Sequence, residues 1–221
     1  MNASRFTQAL ARAAEARGVA FFQGVAVTSF VTEGDQVIGL RTQEGTVGAD
    51  LVVLAAGPWT ASLSRRLGVN LPVRPVRGQM IAFPDFNSPL RHVAWNGDCY
   101  LVPKANGFLF AGATVEDVGF RKRTTTRGLA GLRRMATTLV PSLAYLEVAT
   151  SWAALRPGSP DGLPILGPVP GWQGLTVASG HFRNGILLAP VTGQLIARSI
   201  LDGRPSDALA PFSLARFLDR G

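Results

Sequence analysis

Residues 51–58 read Leu-Val-Val-Leu-Ala-Ala-Gly-Pro, and this stretch says most about the fold. Its first five residues are apolar, with no polar residue alternating between them, which is typical of a strand buried on both faces in a parallel sheet. Pro58 suits the first turn of a helix, which we expect to reach about Leu67. The stretch therefore predicts the strand–turn–helix unit of an α/β fold.

The segments on either side of this unit extend the prediction. Before it, Asn2 or Ser4 can cap a helix that Gly18 ends. Apolar patterning and turn residues then predict short strands over residues 19–23, 25–31, 37–42 and 46–49. Beyond it, the pattern predicts strands over residues 73–83, 99–103, 107–113, 147–155 and 175–178, and helices over residues 126–139 and 185–201.

The order of these elements predicts how the chain is divided. A helix and strands come first, a mostly β region follows, and a strand and a helix return at the end. We therefore expect a mixed α/β fold in which residues 1–72 and 151–221 form one α/β domain. An antiparallel sheet domain, residues 73–150, is inserted between the two halves of that domain.

Composition narrows the class of protein. The 221 residues are 47% hydrophobic and 16% charged, which excludes an ordinary disordered chain. The net charge is +8, but the basic residues are scattered and do not interleave with aromatic residues, so nucleic-acid binding is not expected. The longest apolar stretch, residues 49–61, is interrupted and too short to span a bilayer. No secretory signal is visible, and we expect a cytoplasmic protein.

Residues that commonly ligate metals or attack substrates are few. Cys99 is the single cysteine, which excludes an internal disulfide, and it is more typical of a packed thiol than of a nucleophile. His92 and His181 have no partner at metal-ligand spacing in the sequence. We therefore expect no metal site.

Six segments, found together and in this order, resemble the D-amino-acid oxidase superfamily of FAD-dependent flavoproteins, and within it the glycine oxidases. They lie at residues 51–59, 99–103, 110–114, 151–157, 161–164 and 180–188. The Gly-x-Gly-x-x-Gly fingerprint that follows the first strand of such enzymes is absent from this sequence. The resemblance therefore implies the C-terminal portion of such a protein. Residues 1–72 and 151–221 would form an incomplete Rossmann-like FAD-binding domain, and residues 73–150 the substrate-binding antiparallel sheet domain. The missing unit is either cut off or supplied by a partner chain, and we expect the isolated chain to bind FAD weakly or not at all.

Three residues are candidates for binding the substrate. Arg156 ends a predicted strand just before Pro157, and a guanidinium holds a carboxylate by two parallel hydrogen bonds. The resemblance assigns that role to Arg156 and implies a further hydrogen bond to the carboxylate from the Tyr100 hydroxyl. It also implies that Arg183 lies between flavin and substrate.

The FAD contacts that the resemblance implies fall in three places. The first is the run Gly180, His181, Phe182, Arg183, Asn184, Gly185, Ile186 and Leu187. Its glycines let the backbone approach a flat ring, and the helix start near Gly185 favours the negative charge of a reduced flavin. The second is Ala55, Ala56 and Gly57, after the buried strand. The third is Val27, whose backbone would meet the adenine end.

The chemistry that the resemblance implies is oxidative deamination of glycine or another small amino acid or amine by hydride transfer to the flavin. No residue is assigned as a catalytic acid or base, because the protein's part is orientation and electrostatics. Dioxygen or another acceptor reoxidises the flavin, and in the family the reaction on glycine feeds thiazole synthesis for thiamine. Val115 stands where the resemblance places a methionine, which leaves the choice among glycine, sarcosine and a small D-amino acid open.

Two other interpretations stay open. One is a non-catalytic remnant or interaction subunit of a split flavoenzyme, in which uncovered apolar surface seeks a partner. The other is a sarcosine-type oxidase, but such enzymes often attach flavin through a cysteine. Cys99 lies in the predicted Tyr100 strand rather than at the expected flavin, which disfavours that alternative.

Overall fold

The computed structural model describes residues 2–84, 90–97 and 99–218. Contacts between residues divide the chain into two units. Unit 1 contains Met1–Ala56, Thr60–Leu71 and Leu163–Gly221, and unit 2 contains Gly57–Trp59 and Pro72–Gly162.

The regular elements of the described residues follow one another in this order. The strands are β1 (Val27–Glu33), β2 (Gln36–Thr42), β3 (Thr46–Gly48), β4 (Val52–Leu54), β5 (Arg74–Pro84), β6 (Ala94–Asn96), β7 (Cys99–Lys104), β8 (Phe108–Gly112), β9 (Thr150–Gly158), β10 (Ile165–Pro168) and β11 (Leu175–Ser179). The helices are α1 (Ala3–Glu15), α2 (Thr60–Ser64), α3 (Thr126–Leu139) and α4 (Gly185–Leu201). Short 3₁₀ turns occur at Gly57–Trp59, Arg65–Leu67, Pro141–Tyr145, Asp207–Phe212 and Leu214–Phe217.

Unit 2 is built on an antiparallel sheet with the strand order β6-β7-β8-β5-β9. The central strand β5 pairs with β8 on one side and with β9 on the other, from Arg74 opposite Gly158 to Ala82 opposite Thr150. Successive residues of a strand point to opposite faces, so Ile81 and other alternate residues line one side of the sheet. That side forms a buried core with α3.

Helix α3 is defined by its ends and by its apolar stripe. The Thr125 side chain caps it by accepting a hydrogen bond from the backbone N–H of Gly128 at 3.2 Å. The helix ends at Leu139, two residues before Pro141, which lacks the N–H that another turn needs. Leu132 and Ala136, four residues apart, are fully buried and present the helix to the sheet.

Unit 1 contains two small sheets. Strands β1, β2 and β3 form an antiparallel sheet, and the second sheet has the order β10-β11-β4, in which β11 runs parallel to β4. Helix α4 contributes Ile196 to a buried cluster with Leu166 of β10 and with Leu209. Within residues 2–84, 90–97 and 99–218, no helix is both long and apolar enough to cross a membrane.

The structure confirms the mixed α/β class with an antiparallel sheet and corrects two local predictions. Residues 19–23 form no strand, and Phe22 is 71% exposed. The strand at residues 51–55 is shorter than predicted and is not buried on both faces, since Val53 is 39% exposed between the buried Val52 and Leu54. The reason is that alternate residues of β4 point to opposite faces, and only one face is covered in the described structure.

The boundary between the two units of the structure does not coincide with the predicted domain boundary at residue 151. Strand β9 pairs with β5 over its whole length and so belongs to the sheet of unit 2. The later change of unit therefore falls between Gly162 and Leu163 rather than at residue 151. The assignment of the two regions to flavin and substrate stays a prediction.

Candidate active site

Arg156 lies on β9, directly opposite Val76 of β5 in the antiparallel register. The residue is half-buried, and its Nη1 donates a hydrogen bond to the backbone carbonyl of Thr114 at 3.2 Å. This bond joins β9 to the segment that follows β8. The guanidinium is thereby held at one place on the sheet, which suits recognition of a planar anion.

Tyr100 lies on the same face of this sheet as Arg156. It stands opposite Gly112, Gly112 stands opposite Met80, and Met80 stands opposite Trp152 of β9. Directly opposed residues of antiparallel strands share a face, and Arg156 is four residues along β9 from Trp152. The Tyr100 hydroxyl lies 3.5 Å from the Met80 sulfur. The structure therefore brings the two predicted substrate-binding residues of unit 2 onto one face.

Aromatic and sulfur-containing side chains surround these two residues. The rings of Phe110 and Trp152 meet edge to face, with centroids 5.0 Å apart, and both residues are half-buried like Met80. Apolar surroundings lower the local dielectric and strengthen an ion pair formed there. This face can therefore hold a small anion more firmly than an open surface does.

A polar network holds the segment after β8 against the opposite, α3-covered face. Arg77 of β5 is only 5% exposed and forms an ion pair with Glu116. The buried Gln79 donates to Glu116 Oε1 at 2.6 Å and accepts a hydrogen bond from the Thr125 backbone N–H at 2.7 Å. Burial raises the pKa of Glu116, but hydrogen bonds from Thr114, Arg77 and Gln79 and the charge of Arg77 together lower that pKa below its ordinary value. Glu116 is therefore ionised at neutral pH.

No residue of this network is predicted as functional from the sequence. The sequence holds one sign of a buried polar network: Arg77 and Gln79 occupy the same alternate positions of β5 as the apolar Ile81. A charge at a core position requires a partner. The partner itself is not visible in the sequence, since Glu116 is separated from Arg77 by an intervening hairpin.

Two predicted cofactor segments, residues 55–56 and the turn that begins at Gly180, lie at one edge of a sheet in unit 1. Ala55 and Ala56 follow β4, Gly180 follows β11, and these two strands are adjacent and parallel. Gly57 comes next along the chain, has a φ of 52° and belongs to unit 2. The carboxyl edge of parallel strands is where α/β folds bind ligands. Val27 lies in the other sheet of unit 1, as the first residue of β1.

The chain turns sharply between β11 and α4. Gly180 has a φ of 80° and Phe182 a φ of 48°, in the left-handed region that side chains other than glycine rarely occupy. The Asn184 N–H donates to the His181 carbonyl at 2.9 Å. Helix α4 then begins at Gly185, and the Asn184 side chain does not cap it. Backbone N–H groups at this end of the helix favour a negatively charged group beside them.

Some side chains of this segment contact neighbouring residues, whereas others are exposed. His181 Nε2 lies 3.0 Å from Thr192 Oγ1, which ties the turn to α4, and burial lowers the pKa of His181. The Arg183 guanidinium lies 5.4 Å from the centre of the Phe182 ring. By contrast, Ile186 and Leu187 are exposed, so an apolar surface is available at the start of α4.

The residues after β4 and at the start of α4 fit the flavin ring of FAD, but the sequence lacks the motif that would hold its pyrophosphate. The small residues after β4 and the uncapped start of α4 suit a flat ring that gains negative charge on reduction. The glycine fingerprint that would hold the pyrophosphate is absent from the sequence. Cys99 is buried, and burial raises the pKa of its thiol, which does not suit covalent attachment to a flavin. In the described part of the chain, no three His, Cys, Asp or Glu side chains are grouped to hold a metal ion.

Comparison with known proteins gives consistent matches. The profile of a family described as FAD dependent oxidoreductase matches residues 1–199. Glycine oxidase of Pseudomonas putida is 41% identical over 187 residues, which are 85% of this chain and 51% of that protein. Hydrogen cyanide synthase subunit HcnC of Pseudomonas protegens is 37% identical over 219 residues, which are 98% of this chain and 52% of that protein.

A solved structure extends the likeness to the fold. The crystal structure of glycine oxidase from Geobacillus kaustophilus matches with a TM-score of 0.87 and 37% identity, covering 95% of this chain and 56% of that one. The chain spans about half the length of the curated relatives it matches.

Proposed function

The chain belongs to the FAD dependent oxidoreductase family, and from this membership we propose that it is the portion of a glycine-oxidase-type enzyme that binds the substrate and the flavin ring. One observation carries the proposal. Arg156 and Tyr100 share one half-buried face of the unit 2 sheet, in a chain whose relatives include named glycine oxidases.

The substrate is a small amino acid, or another small amine that carries a carboxylate, and this carboxylate binds Arg156. A guanidinium offers parallel N–H donors that match a carboxylate, and the Tyr100 hydroxyl adds a further donor. Phe110 and Trp152 restrict water around the bound anion. Because Val115 is shorter than methionine, sarcosine or a small D-amino acid can replace glycine as the preferred substrate.

The cofactor is FAD, held on this chain by the residues of the turn before α4, by Ala55, Ala56 and Gly57, and by Val27. Gly180 allows close backbone approach, and His181 and Asn184 fix the turn. The N–H groups at the start of α4 stabilise negative charge near them. Arg183 supports either the ring or the substrate carboxylate.

The reaction is oxidative deamination. FAD, when bound, supplies the acceptor for the two electrons removed from the substrate. Arg156 and Tyr100 orient the substrate by its carboxylate, so that the Cα–H bond faces one direction, and no side chain acts as a general base. Loss of hydride and an amine proton leaves an imino acid, which water hydrolyses to an oxo acid and ammonia, or to an oxo acid and methylamine where sarcosine is the substrate. Dioxygen or another acceptor in the cytoplasm takes up the electrons. The imino acid formed from glycine keeps its nitrogen until it is hydrolysed, which suits thiazole supply for thiamine.

The test is anaerobic reduction of the natural gene product that contains this chain. The protein is purified, its visible flavin bands are recorded, and glycine, sarcosine and D-alanine are added in turn. We expect loss of the oxidised flavin bands with at least one of them, and release of ammonia from glycine or D-alanine or of methylamine from sarcosine. Assaying cyanide as well as oxo acid separates a glycine oxidase outcome from that of the relative named as a hydrogen cyanide synthase subunit. A flavin that stays oxidised with all amines would refute the proposal.

A second candidate is an interaction subunit without catalytic activity. Exposed apolar side chains of unit 1 favour it, among them Leu187 at 76% exposure and Val53 at 39%. On this view a partner chain supplies the dinucleotide-binding unit. A colourless purified protein that becomes yellow only together with a second chain would support this candidate.

A further inference from the structure

We propose that Gly78 is a positioning residue for the Arg156 guanidinium, and thereby sets the affinity of the site for a carboxylate; this rests on the proposed function. Gly78 lies on β5, and a Cβ added to it would lie within 3.0 Å of Cζ, Nη1 and Nη2 of Arg156. Real Cβ atoms essentially never approach other heavy atoms so closely. The guanidinium therefore occupies the space that any other residue at position 78 would fill.

The strand register explains how the guanidinium reaches this place. Arg156 stands opposite Val76, whereas Gly78 stands opposite Ala154, one step further along the same face. The next pair on that face is Met80 and Trp152, which are both large. Gly78 and Ala154 thus form a shallow space between larger neighbours, and the Arg156 side chain leans across the strand into it.

The other side of the guanidinium is held by Thr114. Its carbonyl accepts from Arg156 Nη1 at 3.2 Å. Thr114 is itself fixed to the residue after Gly78, because the Gln79 N–H donates to Thr114 Oγ1 at 2.8 Å and the Thr114 N–H donates to the Gln79 carbonyl at 3.3 Å. The flat backbone of Gly78 and the Thr114 carbonyl therefore define one position for the guanidinium.

This arrangement matters because binding a carboxylate in two-point fashion requires the guanidinium plane to be fixed beforehand. A side chain that must be ordered at the moment of binding loses conformational freedom and affinity. Displacing the guanidinium by about 1 Å is expected to cost about tenfold to hundredfold in substrate affinity. A Cβ at position 78 would overlap with the movable end of the Arg156 side chain rather than with backbone. The sheet itself can therefore form with alanine at position 78.

The experiment compares Gly78→Ala with Gly131→Ala in the natural flavin-loaded gene product. Gly131 lies in α3, where an added Cβ meets nothing within 4 Å, so it is the matched control. We expect Gly78→Ala to raise KM for glycine about tenfold to hundredfold. Its effect on kcat is expected to be smaller, and the melting temperature to stay near that of the parent. Gly131→Ala should leave KM unchanged.

Two further readouts separate positioning from a general structural role. Glycinamide lacks the carboxylate, so Gly78→Ala should change its KM little. In an Arg156→Ala background, Gly78→Ala should have no further effect on glycine, because the side chain that it displaces is gone.

The outcomes distinguish this inference from the proposed function. If Arg156→Ala raises KM for glycine while Gly78→Ala behaves like Gly131→Ala, the inference is overturned and the function stands. If Arg156→Ala itself leaves KM unchanged, the proposed function is overturned as well. A Gly78→Ala protein that fails to fold would also overturn the inference, because the added methyl group would then meet more than a movable side chain.

Discussion

The two faces of the unit 2 sheet differ in how their polar groups are used. On the α3 side, Arg77 is almost fully buried, and its charge is balanced by Glu116 within a network of hydrogen bonds. On the other side, Arg156 and Tyr100 are half-buried among aromatic residues. Both faces carry an arginine on neighbouring strands, but the two differ in burial: Arg77 is 5% exposed and paired with Glu116, whereas Arg156 is half-buried and donates to the Thr114 carbonyl.

This difference distinguishes the arginine that stabilises the fold from the arginine that is suited to a ligand. A buried charge with an oppositely charged partner stabilises the folded state chiefly because removing either one leaves the other uncompensated. A half-buried guanidinium held by a backbone carbonyl is instead oriented without being neutralised by that carbonyl. We therefore expect substitutions on the α3 side to change stability, and substitutions on the Arg156 side to change substrate binding.

Arg156→Ala is expected to have the largest effect. Truncating one partner of a desolvated charge pair costs about 3–4 kcal/mol in binding, so KM for glycine should rise by about a hundredfold to a thousandfold. Arg156→Lys should fall between parent and alanine variant, since an ammonium cannot bind two carboxylate oxygens in the same plane. Steady-state kinetics of the flavin-loaded protein measures both.

The stability of the Arg156 variants tests whether this arginine has a structural role like that of Arg77. Arg156→Ala should leave the unfolding midpoint in urea close to that of the parent. A large loss of unfolding free energy with normal KM in the surviving folded protein would show that Arg156 belongs with Arg77 as a structural residue.

Arg77→Met is expected to act in the opposite way. It leaves Glu116 without its ion-pair partner, which should lower the free energy of unfolding by about 2–3 kcal/mol, less than for a fully enclosed pair because Glu116 is partly exposed. Arg134→Met on the exposed side of α3 is the control, and we expect it to change stability by about 0.5 kcal/mol or less. Urea unfolding followed by circular dichroism measures both. Equal stability of the two variants would contradict the distinction.

The sequence predicts one of these faces better than the other. Strand patterning and the resemblance both point to Tyr100 and Arg156, and the structure places each on a strand of one sheet, while their part in substrate binding stays a prediction. The Arg77 network is not found, because its bonds to Glu116 and Thr125 depend on how a distant loop folds back onto β5. The open face of β4 at Val53 is missed for a related reason: an apolar run fixes the strand but not what covers it.

The pH dependence of stability offers a finer test of the α3 face. The pKa of Glu116 is lower in the folded protein than its ordinary value, so the unfolded chain binds the proton more tightly. The stabilisation by Glu116 is therefore complete above the ordinary glutamate pKa and is lost as pH falls through the lower, folded value. Glu116→Gln should remove this part of the acid-side loss, as measured by urea unfolding from pH 6 down to pH 3. An unchanged acid-side slope in that variant would show that other carboxylates govern it.

Val115→Met is expected to have the smallest effect, and it probes the point where the two faces meet. Val115 lies between Thr114, whose carbonyl binds Arg156, and Glu116, which pairs with Arg77, and it is itself half exposed. A longer side chain there reduces the space for a substituted amine, and one extra methylene or methyl group in such a space is worth about 1–2 kcal/mol. The ratio of kcat/KM for sarcosine to that for glycine should therefore fall severalfold, with stability unchanged. Val118→Met on the same loop is the control, and an equal fall in both variants would mean that loop packing, rather than the space beside Val115, sets the preference.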